Sequence, residues 1–135
     1  FKNNAANHLG MTAHILYKNI DPNQIATFSK SLIKKTIREE IGFKGLLMTD
    51  DISMKAIKLN PEDAADKALA AGCDLVLHCN GKINEMNRIA DKINSKYELI
   101  TSSKELENIF NNEISISLRE AELNLKESLN QADLI

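Results

Sequence analysis

Two adjacent carboxylates, Asp50 and Asp51, close the apolar run Gly45-Leu46-Leu47-Met48-Thr49. Side by side at the end of a buried strand, such carboxylates face like-charge repulsion and desolvation, the conditions under which one becomes a general base, a metal ligand or a nucleophile. The plainer alternative is that one caps the following turn while the other stays in water. Two further apolar runs end in polar groups. Residues 9–17 carry His14 towards their end, and Asp74-Leu75-Val76-Leu77-His78 leads into Cys79 and Asn80. A lone histidine at a strand tip more often holds its neighbours than performs chemistry. A divalent-ion site built from His14, Asp50 and His78 is the weaker alternative, because no close pair of ligands has zinc-site spacing.

The elements that must position these groups follow from the pattern. Leu9 to Tyr17 reads as a mostly apolar strand. Asp21 can cap a helix with Pro22 in its first turn, and Ile25, Phe28, Leu32, Ile33, Ile37 and Ile41 then recur at spacings of three and four up to Gly42. The run 45–49 shows no alternation, as in a strand covered on both faces. Asn60-Pro61 opens a second helix, with small residues Ala64, Ala65, Ala68 and Ala71 on one side and Gly72 at its end. A third strand covers 74–78. Beyond Gly81 the chain reads as helical. Ile83, Met86, Ala90 and Ile93 mark one stripe, Ser102 to Glu105 look like a capping box before Leu106, Ile109 and Phe110, and Ile114, Leu118, Ala121, Leu125 and Leu129 form a last stripe.

Alternating strands and helices imply a parallel sheet. In such folds ligands sit beyond the carboxyl ends of the strands, so His14, Asp50, Asp51, His78 and Asn80 converge on one rim. Three strands leave two edges unpaired, and alone the chain is expected to self-associate or aggregate.

Composition excludes several classes. With 43% hydrophobic and 27% charged residues in 135, the chain is ordinary for a folded domain. A net charge of -2 without a basic block leaves no footprint for nucleic acid or an anionic membrane. Only 4% of residues are aromatic and none is Trp, which argues against a stacking platform for sugars or single strands. No apolar run approaches the roughly 20 residues of a membrane span, and no signal-peptide pattern opens the sequence. Cys73 and Cys79 are expected to be two buried reduced thiols.

Four segments, in order, are together specific: Gly10 to Tyr17 (GMTAHILY), Ile20-Asp21-Pro22, Ile37 to Ile57 (IREEIGFKGLLMTDDISMKAI) and Ala70 to Leu77 (AAGCDLVL). They resemble the β-N-acetylhexosaminidases of glycoside hydrolase family 3. The resemblance is strongest over 9–80, while 82–135 agrees with the helical end of those enzymes in type only.

It implies an α/β fold, the C-terminal part of a TIM-like (β/α)8 barrel with about three parallel strands plus helices and a helical tail. It implies retaining hydrolysis of terminal β-linked N-acetylglucosamine in cytoplasmic muropeptide recycling, with a small saccharide as partner and no metal or organic cofactor. Asp50, the Asp directly after Thr, takes the place of the nucleophile, which forms a covalent glycosyl-enzyme. Met11, His14 and Met54 fall near the sugar pocket. Asp51 positions Asp50 or holds the turn.

The upstream Lys-His-Phe-Pro-Gly-His-Gly loop, which supplies the acid/base group in complete members, is not in this sequence. These 135 residues alone are therefore expected to be inactive. A β-glucosidase-type member is the alternative within the family, although those usually carry an aromatic where Asp51 stands. A non-catalytic remnant or interaction fragment is the alternative outside it.

Overall fold

The structure, a computed structural model, describes residues 2–97. The expected helical stripes beyond residue 101 lie outside them. Two parallel strands, β1 (Leu9–Met11) and β2 (Leu46–Met48), pair in the register Leu9 with Leu46, Gly10 with Leu47 and Met11 with Met48. On the other side of β2 the chain at 74–77 runs parallel but forms a ladder bridge only between Met48 and Leu75. The Asp74 and Leu75 N–H groups donate to the Leu47 carbonyl, and the Thr49 N–H donates to that of Leu75. The next rung breaks because the Leu77 N–H donates to the Thr49 hydroxyl at 2.9 Å instead of to a main-chain carbonyl. The expected third strand is thus reduced to one bridge, and among the described residues the sheet has two regular strands.

The first expected strand is also shorter than its apolar run. The Thr12 N–H makes the last bond to β2, at the Met48 carbonyl. Beyond it the side chains of Thr12 and His14 turn to Thr27, and the Ile15 carbonyl accepts from Ala26. The backbone groups that would extend the ladder are satisfied elsewhere.

The helix expected over 25–41 is split in two. Asp21 makes an Asx turn, its Oδ1 accepting from the Asn23 and Gln24 N–H groups. A 3-10 turn follows at Ala26–Phe28, then a nine-residue π-type helix at Leu32–Glu40. Ser29 divides them. It is fully buried and extended, its hydroxyl donates to Asp21 at 2.6 Å, and its oxygen accepts from the Leu32 N–H at 3.0 Å. A serine that spends its hydroxyl on the next turn's N–H acts as a cap and starts a new helix.

α1 (Pro61–Ala71) forms as the sequence requires. The Asn60 side chain accepts from the Asp63 N–H, Pro61 occupies the first turn, and Gly72 ends the helix at φ 115°, a left-handed conformation that side chains resist. Its alanines 64, 65, 68 and 71 are buried in one core with Phe28, Ile33, Phe43, Leu47, Ile52, Cys73 and Ile89. Gly45 lets β2 begin hard against β1's approach: a Cβ there would lie 2.4 Å from the Asn7 carbonyl oxygen.

α2 (Ile83–Asn94) packs on α1, but the buried face is not the expected one. Arg88 and Lys92 pair with Glu62 and Asp63 of α1. That orientation turns Met86, Ile89 and Ile93 inward and leaves Ala90 exposed and Ile83 64% exposed. Among the described residues no helix is long and apolar enough to cross a membrane.

Candidate active site at the carboxyl ends of the strands

β2 runs through buried Leu47 and Thr49 and delivers Asp50 at its carboxyl end, half-buried. Among the described residues the Asp50 carboxylate receives one hydrogen bond, from the Asp51 N–H to Oδ1 at 2.8 Å, and no Lys or Arg lies within ion-pair distance. A carboxylate oriented by one backbone N–H and left without a cation keeps lone pairs free for chemistry.

Asp51 is bound differently. Its Oδ1 accepts from the Ser53 N–H at 2.9 Å and the Cys79 N–H at 3.1 Å, and the Ser53 hydroxyl lies 2.7 Å from both oxygens. Burial pushes its pKa up, but the Ser53 and Cys79 donors and the nearby His78 outweigh burial and hold it below the ordinary value. Its carboxylate is occupied in joining the turn after β2 to the end of the 74–77 segment.

His14 lies on the same rim with both ring nitrogens engaged inside the protein. Nδ1 is 2.8 Å from the Thr27 hydroxyl and Nε2 is 3.0 Å from the Asp51 carbonyl oxygen. Thr27, fully buried, also lies 3.0 Å from the Thr12 hydroxyl and 3.1 Å from the Ala13 carbonyl. The His78 side chain is 6% exposed and places Nε2 3.2 Å from Glu85, while its Nδ1 is buried without a partner among the described residues. Hydrogen bonds from Asn80 and then Lys82, with a smaller one from His78, hold the Glu85 carboxyl down to about 2.

The rim therefore joins His14, Asp50 and Asp51 directly and brings Cys79 and His78 to Asp51's side. Met11 and Met54 are 54% and 44% exposed, the former on β1 and the latter in the turn after Asp51. Among the described residues no three His, Cys, Asp or Glu side chains are arranged to hold a metal ion. Of the two expected buried thiols only Cys73 is buried, with its pKa pushed up to about 12 by burial and by Asp74. Cys79 is exposed, because the chain leaves the sheet at Leu77 and only its N–H turns back to Asp51.

Thr27 and Ser53 also hold the rim, and neither stands out in the sequence. The signal for Thr27 was weak: a polar residue between Ala26 and Phe28, beside a second one at Ser29, inside an otherwise apolar stripe.

Residues 1–109 match the family pattern described as the glycosyl hydrolase family 3 N terminal domain. Similar proteins include a beta-hexosaminidase of Vibrio cholerae, 43% identical over 72 residues, covering 52% of this chain and 22% of that protein. A beta-hexosaminidase of Nitrosospira multiformis is 46% identical over 72 residues, covering 52% of this chain and 20% of that protein. Among solved structures, a family 3 beta-N-acetylglucosaminidase from a Paenibacillus species superposes with a TM-score of 0.61 at 26% identity, covering 84% of this chain and 22% of that one. The chain thus spans about a fifth of the length of the curated relatives it matches.

Proposed function

The chain belongs to glycosyl hydrolase family 3, and from that premise we propose that it is the nucleophile-bearing part of a retaining β-N-acetylhexosaminidase. Its two strands and the 74–77 segment are read as the last strands of a barrel whose other strands come from outside these residues. The observation that carries the reading is the contrast at the rim. Among the described residues Asp50 takes one hydrogen bond and no cation, whereas Asp51 beside it is saturated by donors.

In this reading an Asp50 oxygen attacks the anomeric carbon of a terminal β-linked N-acetylglucosaminyl unit. The C–O bond to the leaving group breaks as an acid/base group from outside these residues protonates the departing oxygen. Water, deprotonated by the same group, then attacks the glycosyl ester and releases Asp50 with net retention. Family membership and the names of the beta-hexosaminidase relatives support the sugar; a small saccharide of the muropeptide type, processed in the cytoplasm, is the substrate this reading proposes. The two-step chemistry needs no resident metal.

The test uses the complete gene product and compares kcat/KM on an aryl β-N-acetylglucosaminide with that on the aryl β-glucoside. A pocket whose polar groups pair with the acetamido group leaves them unpaired with glucose, so the first substrate is expected to win by at least about a hundredfold. Equal values, or a preference for glucose, would overturn the assignment in favour of the glucosidase type.

A further inference from the structure

The Asp51 N–H donates to the Asp50 carboxylate, so the orientation of that carboxylate depends on what holds the Asp51 backbone. The Asp51 carbonyl oxygen can only accept, and its partner is His14 Nε2 at 3.0 Å, so that nitrogen carries a proton. In the neutral ring Nδ1 is then an acceptor. It faces the Thr27 hydroxyl at 2.8 Å, nearer than that hydroxyl's alternative acceptor, the Ala13 carbonyl at 3.1 Å. The Thr12 hydroxyl donates into Thr27 from the other side at 3.0 Å. Every proton then points the same way, from Thr12 to Thr27, to His14, to the Asp51 carbonyl. Such a chain fixes each member more firmly than isolated pairs do.

The chain starts on buried groups, Thr12 and Thr27, and ends at the rim. It crosses from the end of β1 through the 26–28 turn to the turn after β2. Resting on the functional reading above, we propose that Thr27 and His14 are positioning residues for Asp50. Thr27 fixes the proton arrangement and ring plane of His14, and His14 holds the Asp51 backbone that aims the Asp50 carboxylate. His14 does this instead of touching sugar, because neither ring nitrogen is left free.

The experiment takes the complete gene product with Thr27→Val, Thr27→Ser and His14→Leu. Valine keeps the shape of threonine without the hydroxyl, and serine keeps the hydroxyl. Thr27→Val is expected to lower kcat by about 10- to 100-fold with KM changed less than about twofold, the pattern of a misaimed group and not of lost substrate binding. Thr27→Ser should restore kcat to within about twofold. Added to His14→Leu, Thr27→Val should cost less than about twofold more, because the relay is already broken.

The ring-nitrogen signals of His14 in 15N spectra give a readout independent of catalysis. A proton-bearing Nε2 and a hydrogen-bonded, unprotonated Nδ1 are expected, with the Nδ1 signal moving in Thr27→Val and staying in Thr27→Ser. Should Thr27→Val fail to fold, Thr27→Ser with altered His14 signals or a large kcat loss would still overturn the proposal. Unchanged kcat in Thr27→Val, a loss that serine does not restore, additivity with His14→Leu, or His14 signals indifferent to the hydroxyl would each overturn it too. A wild-type protein that cleaves no N-acetylglucosaminide would sink the functional reading, while the His14 signals would still decide whether the relay exists.

Discussion

Carboxylates occur in two regions of this molecule under opposite terms. Along the seam between α1 and α2, Glu62, Asp63 and Asp66 each face a cation: Arg88, Lys92 and Lys96. Their pKa values are held down mainly by those partners. At the rim, Asp50 and Asp51 face N–H and O–H donors and no Lys or Arg, among the described residues. A seam carboxylate answered by a solvated cation steers helix packing and contributes little else. Asp50, held by a single neutral dipole among the described residues, keeps its charge uncompensated and its position fixed, the two properties a nucleophile needs.

The sharpest way to break that contrast is to remove Asp50 from the complete gene product. Asp50→Ala should lower kcat by several orders of magnitude, about a thousandfold or more, with the thermal midpoint nearly unchanged. Azide should restore part of the rate and give the α-glycosyl azide, which chromatography of the products checks. A seam-like role for Asp50 would show as lost stability with activity intact.

Asp51→Ala separates the two rim residues. It removes the acceptor for Ser53 and Cys79, so stability should fall by about 1–3 kcal/mol in urea titrations. kcat should fall much less than in Asp50→Ala.

Glu85 extends the comparison to acid. Its folded pKa, about 2, lies below its ordinary 4.5, so its contribution is fully present above about pH 4.5 and is lost as pH falls towards 2. Glu85→Gln should flatten that part of the stability–pH curve and leave the curve above it parallel to wild type, as followed by urea midpoints. An unchanged acid slope would mean that Asn80, Lys82 and His78 do not hold the carboxylate.

The smallest effect belongs to the seam. Asp63→Asn should shift the urea midpoint only slightly, the shift shrinking further in high salt, with kcat untouched. A larger, salt-independent loss would show that the seam is not a solvated ladder.

Much of the rim was legible in the sequence because its signals are local. An apolar run without alternation followed by Asp50 and Asp51 marks a buried strand's end, and Asn60-Pro61 with Gly72 brackets α1 by backbone chemistry alone. What was not legible depends on partners distant in sequence. Ser29 fits a helical stripe until Asp21 and Leu32 claim its hydroxyl. Residues 12–17 look like strand until Thr27 takes the side chains of Thr12 and His14. Ile89 displaces Ala90 from the buried face because Arg88 and Lys92 reach α1. Cys79 looks buried beside Leu77, but only its N–H faces inward. The rim residues divide in the same way: the place of Asp50 after β2 follows from the apolar run before it, whereas both nitrogens of His14 are engaged by Thr27 and Asp51, distant in sequence.

The most direct measurement is covalent. The complete gene product would be incubated with a 5-fluoro N-acetylglucosaminyl donor whose glycosyl-enzyme turns over slowly, digested, and mapped by fragmentation mass spectrometry. The sugar's mass is expected on the peptide containing residues 45–55, with fragment ions placing it on Asp50 and none on Asp51. Label on Asp51 or on another carboxylate, or rapid turnover with no labelled carboxylate at all, would contradict the assignment of Asp50 as the nucleophile.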